Sequence, residues 1–151
     1  MGGVQVNNMY IKEYSDFTKS IVVEQMHDEI VNEICCTSSS VTLKFNKLHF
    51  QHFNKSFKSA EMIFSDIDDV YSDVNVELYK MEKLKIYNGE KLYMDDFYHM
   101  YSNKTISFEV LDLFIGYQSF LICGNLIDFD MKEYNKIRLS ISSKTLKYCF
   151  Y

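Results

Sequence analysis

Three groupings of side chains in this sequence are of types that do chemistry, and each also has a purely structural reading. His27-Asp28 sets an imidazole beside a carboxylate, the pairing used in general acid–base catalysis. On an extended strand neighbouring side chains project to opposite sides, so these two are not expected to share a proton directly. The pair reads as a structural motif at a strand entrance, with Asp28 accepting from turn amides and His27 packed at a sheet edge. Asp66, Asp68 and Asp69 offer oxygens to a hard cation such as calcium or magnesium, but a calcium loop also needs a glycine at its sharp turn, and none stands there. A solvated acidic turn is the expectation. His49-x-x-His52 would present two metal ligands on one helix face, yet the local sequence does not favour helix and no cysteine follows at ligand spacing. Serine nucleophile elbows, glycine-rich phosphate loops and zinc-protease motifs are absent. No catalytic residue, metal or cofactor is therefore assigned, and the chain is not expected to be an enzyme.

The elements that would position such residues are mostly strands. The stretch 27–45 reads as the first hairpin of a sheet, because Ile30, Ile34 and Cys36 share one parity and Val41, Leu43 and Phe45 another, across the polar turn Thr37-Ser38-Ser39-Ser40. The parity shift between Phe45 and Leu48 predicts a bulge or turn near Asn46. Ala60, Met62 and Phe64 predict a half-buried strand that ends at the acidic loop 66–69. A further strand starts at Val74 and runs to about Ile86, with Tyr87-Asn88-Gly89-Glu90 as its exit turn. Tyr93, Phe97, Met100 and Tyr101 change the period to that of a short amphipathic helix within 91–103. Strands follow at 106–110, 120–123, 137–141 and 146–150, with Gly116 and Gly124 permitting a kink or close approach near the second. Val4, Val6 and Tyr10-Ile11 suggest a short opening strand, and Phe17, Ile21, Val22 and Met26 are spaced either for a short helix or, at 21–23, for a β-branched strand. The fold class is α+β, mainly β: an antiparallel sheet or sandwich of about seven or eight strands with one or two short helices.

With 151 residues the chain is expected to form one β-rich domain over 1–151, and its 47% hydrophobic and 16% aromatic content is enough for a substantial core. Met1-Gly2-Gly3 lacks the basic and apolar regions of a signal peptide and no apolar run has the length of a membrane span, so a cytoplasmic location is expected. Cys35, Cys36, Cys123 and Cys149 have no Cys-x-x-Cys spacing and read as reduced, buried small hydrophobes. Charge is uneven: residues 1–75 hold 6 basic and 11 acidic side chains and 76–151 hold 10 of each, so the whole excess of −5 lies in the first half. That argues against nucleic acid or an anionic membrane as partner and allows a basic protein, although a modest negative charge also serves solubility alone.

The order of these features resembles small bacterial immunity proteins encoded beside polymorphic or contact-dependent growth-inhibition toxins. The resemblance is carried by His27-Asp28 with its spaced aliphatics, by Val41-Thr42-Leu43-Lys44-Phe45, and by 59–67. It continues in Phe120-Leu121-Ile122-Cys123-Gly124-Asn125-Leu126-Ile127, 137–141 and Tyr148-Cys149-Phe150-Tyr151. The chain departs from that pattern in having no Trp. The resemblance implies a cytoplasmic protein, monomer or homodimer, that neutralises one cognate toxin by protein–protein contact. If the toxin is a basic nuclease, carboxylates would meet the cations that normally hold phosphate. The partner-binding candidates are Asp66, Asp68, Asp69 and Asp73 with Tyr71 as an aromatic anchor, and Tyr93 with Asp95 and Asp96 as a reserve patch. Two other classes stay open: a small ligand- or metal-binding β-domain using His27, His49 or His52, and a structural subunit of a phage or secretion assembly.

Overall fold

The computed structural model describes residues 3–6, 9–15, 23–101, 106–129 and 133–151, with 3–6 and 128–129 as backbone alone. Strands dominate, in two six-stranded antiparallel sheets. The first sheet runs in the order β1 (Gly3–Val6), β2 (Met9–Ser15), β12 (Thr145–Phe150), β6 (Ala60–Ser65), β5 (Val41–Phe45), β4 (Glu33–Cys36). The second runs β3 (Ile30–Val31), β9 (Ile106–Gly116), β10 (Ser119–Phe129), β11 (Lys136–Ser142), β7 (Val74–Glu82), β8 (Lys85–Tyr93). Two short helices, α1 (Val70–Asp73) and α2 (Met94–Tyr101), sit before β7 and after β8.

Alternation along each strand places the core. In the first sheet, register lines up Phe64 with Val41 and Leu146, Met62 with Leu43 and Tyr148, and Ala60 with Phe45 and Phe150, all buried. In the second, Val76, Leu139, Ile122 and Leu113 form one buried row and Val74, Ile141 and Phe120 another. The two inner faces share one apolar cluster, and the rings of Phe64 and Phe120 meet edge to face at 5.0 Å. Each large side chain taken wholly out of water in this way contributes about 1.5–3 kcal/mol before ordering entropy is subtracted.

The predicted hairpin is present from Glu33 to Phe45, with Glu33 opposite Lys44 and Cys36 opposite Val41. Its first half is different. Met26 (φ 55°) and Asp28 (φ 66°) turn the backbone through the left-handed region, so 27–28 is a turn leading into β3 and not extended chain. Ile30-Val31 then pairs with β9 in the other sheet, and the chain changes sheets at Asn32. Asn32 holds this crossing by donating its N–H to the Lys44 carbonyl (2.8 Å) and accepting at Oδ1 from the Asn46 N–H (2.8 Å).

Four other expectations need correction. The strand from Val74 ends at Glu82, and the turn falls on Lys83-Leu84 (φ 50° and 64°), whereas Asn88-Gly89 lies inside β8. This splits one predicted strand into two. The predicted strands 106–110 and 120–123 are longer, 11 residues each, because they pair with each other through a tight turn at Tyr117-Gln118. With β1, β2 and the separate β3 and β4, the sheets therefore hold more strands than the seven or eight expected. On α2 the buried stripe is Met94, Phe97 and Tyr101, and the predicted stripe members Tyr93 and Met100 are exposed. The helical alternative over 17–26 and the strand alternative at 21–23 fall mainly on residues 17–22, outside the described residues, and 23–26 is neither helix nor strand.

The sheet ends are handled differently. β3 and β4 are two parts of one stretch, and β8 is blunted by a register shift opposite Lys80/Met81 and by Lys85 and Lys91. At Gly124 a Cβ would lie 2.6 Å from both the Glu109 carbonyl oxygen and the Phe108 ring, so the close approach expected there is real and sits at a β-bulge against β9.

Candidate functional site

The acidic loop is built on the opening hairpin. Ile67 and Val70 donate their N–H groups to the carbonyls of Ser39 and Ser38 (3.1 and 3.0 Å), so the polar turn 37–40 carries the segment that leads into α1. Asp69 is the N-cap of that single-turn helix. Its carboxylate accepts from the Tyr71 N–H (3.1 Å) and the Ser72 hydroxyl (2.8 Å), while Asp73 Oδ2 reaches back to accept from the Asp69 N–H (3.0 Å). Asp66 (φ 55°) accepts at Oδ2 from the Thr145 hydroxyl (2.8 Å). Of the four loop carboxylates, Asp69 is thus committed to capping and Asp66 and Asp73 each use one oxygen internally. Asp68 is exposed and makes no hydrogen bond or ion pair among the described residues.

The reserve patch lies beside this loop. α1 packs against α2, and Tyr93 at the end of β8 pairs with Asn75, two residues beyond Asp73. Asp95 and Asp96 stand exposed in the first turn of α2, where negative charge suits the helix dipole, and Asp95 pairs with His99 at 3.4 Å. Tyr71, Tyr93 and Tyr98 are all exposed here. The two candidate patches are therefore parts of one acidic and aromatic surface.

That surface runs onto the outer face of the second sheet. Register places Tyr93, Asn75, Ser140, Leu121 and Phe114 in one row across five strands, and Ser142, Ser119 and Gly116 in the next. Small side chains in the middle and large ones at the ends leave a trough of about 490 Å³, lined among others by Asp73, Asn75, Phe114, Leu121 and Ser140. A smaller hollow of about 100 Å³ shares Asp73 and Ser142 with it and adds Asp66, Asp68, Gln118 and Lys144.

The histidines do something the sequence did not reveal. Glu29, wholly buried, accepts at Oε1 from the His49 N–H (2.8 Å) and faces His49 Nδ1 (3.2 Å); at Oε2 it accepts from the Phe50 N–H (3.3 Å) and faces His52 Nε2 (2.6 Å). The other nitrogen of His52 meets Glu24 Oε1 at 2.9 Å, and its ring stacks on Phe150 at 5.5 Å. Tyr148 donates its hydroxyl to the Glu24 carbonyl at 2.5 Å, and burial pushes that phenol well above its ordinary range. His49 and His52 are not on a helix: His52 and Lys55 bridge across a two-residue turn at Phe53-Asn54 (φ 52° and 60°). The signal in the sequence was His-x-x-His, but the partners Glu24 and Glu29 lie 20 to 28 residues away.

These groups satisfy one another, so the cluster ties the segments 24–29 and 46–58 to β12. Among the described residues no group of three or more His, Cys, Asp or Glu is arranged to hold a metal ion. His27 and Asp28 lie outside the cluster and correct the sequence expectation: the turn lets His27 Nδ1 approach Asp28 Oδ2 to 3.0 Å, and both side chains are exposed. The Asp28 N–H donates to the Val110 carbonyl at 2.8 Å.

Of the four cysteines, expected as buried small hydrophobes, Cys149 is buried, whereas Cys35, Cys36 and Cys123 are half-buried. Cys36 packs on the core and burial raises its thiol, Cys149 is buried and raised for the same reason first, and Cys35 is raised by partial burial and by its hydrogen bond to Glu33 (3.1 Å). No helix among the described residues is long and apolar enough to cross a membrane. Comparison with protein-family models, with curated proteins and with solved structures gave no match for this chain.

Proposed function

We propose that this protein works by surface contact, as an immunity protein that binds a cognate bacterial toxin and blocks it without catalysing a reaction. The observation that carries the reading is that Asp66, Asp68, Asp69, Asp73, Asp95 and Asp96 and three exposed tyrosines stand on the 66–69 loop, the packed helices α1 and α2, and the end of β8 beside them. Aromatic side chains with a polar tip are the usual anchors of an interface, and unpaired carboxylates around them steer a basic partner and set orientation more than they add affinity. The resemblance described above supplies the toxin as the class of partner, and the charge supplies its sign.

The experiment is co-expression with the product of the neighbouring reading frame, followed by binding measurements on purified proteins. The reading expects that product to be toxic alone and harmless with this protein. Tyr71→Ala or Tyr93→Ala should weaken binding by about 10-fold or more if they are anchors. Asp68→Asn with Asp95→Asn should slow association and flatten its salt dependence. A neighbouring product harmless on its own, or a complex indifferent to all four changes, would sink the proposal.

A further inference from the structure

The trough on the outer face of the second sheet has two unlike ends, and that asymmetry specifies an occupant. One end is apolar, formed by Leu121 and by Phe114, which is 54% exposed. The other meets Asp73, and through the adjoining hollow Asp66 and Asp68. Between them Ser119, Ser140, Ser142 and Gly116 keep the floor low across three strands. We propose that this trough receives a long cationic side chain, lysine or arginine, from the partner protein. Its aliphatic stem lies on Leu121 and Phe114 and its charged head reaches the Asp73 end.

The chemistry matches at both ends. Lysine and arginine are the side chains that cover apolar surface with a methylene stem while keeping a charge beyond it. Asp73 spends Oδ2 on the Asp69 amide, Asp66 spends Oδ2 on Thr145, and Asp68 is unengaged among the described residues, so acceptor oxygens remain at that end. Among the described residues Lys144 is the one cation lining either hollow, set against three carboxylates.

A second depression on the same face, about 340 Å³ around Gly89, lacks this bias. There Glu77 is already paired with Arg138 (3.3 Å), Arg138 lies over the Tyr79 ring (5.5 Å), and Glu90 accepts from Tyr134 (3.0 Å). Its two carboxylates are engaged internally, and Arg138 and Lys91 line it with positive charge.

This inference rests on the inhibitor reading for the identity of the partner, but its test does not need the toxin. Acetyl-Gly-Arg-Gly-amide, its lysine counterpart, its norleucine counterpart and its glutamate counterpart are titrated separately into the full chain, and amide resonances are followed by NMR. The arginine and lysine peptides should shift Asn75, Leu121, Ser140 and Ser142 most. The norleucine peptide, with a comparable stem and no charge, should bind about fivefold more weakly, the order of one solvent-exposed ion pair. Asp68→Asn should reduce that preference, and Leu121→Lys, which lays a cation in the trough, should abolish it. Equal binding of norleucine, stronger binding of the glutamate peptide, or shifts confined to other surfaces would overturn the trough assignment. If toxin binding survives that outcome, the inhibitor reading stands without the trough; if the cationic peptides bind there but no toxin is neutralised, the reverse holds.

Discussion

Glu29 concentrates more internal bonding than any other side chain described, and its variants separate what charge does from what shape does. Glu29→Gln keeps the size but turns one end into a donor facing donors, so it should lower unfolding free energy by about 1–3 kcal/mol in urea titration. Glu29→Ala leaves His52 and two backbone N–H groups without their acceptor and should cost about 3–5 kcal/mol. His52→Ala should be far more damaging than His49→Ala, because the His52 side chain is 3% exposed and the His49 side chain 41%. Equal costs for the two histidines would mean that Glu29 does not hold the 46–58 segment. The histidines were visible in the sequence as a spaced pair. Their partners were not, because hydrogen bonds across 20 to 28 residues leave no local pattern.

At the scale of elements, alternation was the readable signal and punctuation the unreliable one. β5, β6, β11 and β12 each bury every second residue, or nearly so, and all four were expected where they occur. The β7–β8 turn was misplaced because the structure puts Lys83 and Leu84 in the left-handed region and keeps the turn-favouring pair Asn88-Gly89 in a strand. Leu84 is 92% exposed, so nothing it packs against offsets the strain. Replacing Lys83-Leu84 by Asn-Gly should therefore stabilise the protein by about 1 kcal/mol, read as a raised midpoint in thermal unfolding. A fall in the midpoint would mean that the two side chains make contacts that matter. Gly124 is the opposite case: Gly124→Ala should destabilise by about 1–3 kcal/mol, since the added carbon meets backbone at Glu109 that has no room to move away.

For the whole molecule the sequence disclosed a β-rich chain with a real core but not which strands are neighbours. The candidate surface shows why. Tyr93, Asn75, Ser140, Leu121 and Phe114 become one row only through pairings of β8 with β7, β7 with β11, β11 with β10 and β10 with β9. No one segment carries that row. The same long-range closure sets a global response to alkali. Burial, and then Glu90 beside it, pushes Tyr101 up to about 12; burial, and then Glu61, does the same for Tyr151 at the chain's end. An unfolded tyrosine ionises near its ordinary value of about 10. Below that value both states keep their phenolic protons and these groups leave stability unchanged with pH. Between about 10 and 12 the unfolded chain loses protons that the folded chain retains, so unfolding is favoured and stability falls as pH rises. Urea midpoints measured across that window should decline, and Tyr101→Phe should flatten part of the decline while leaving the slope near neutral pH unchanged. A decline as steep in the variant as in the parent would remove Tyr101 from the account.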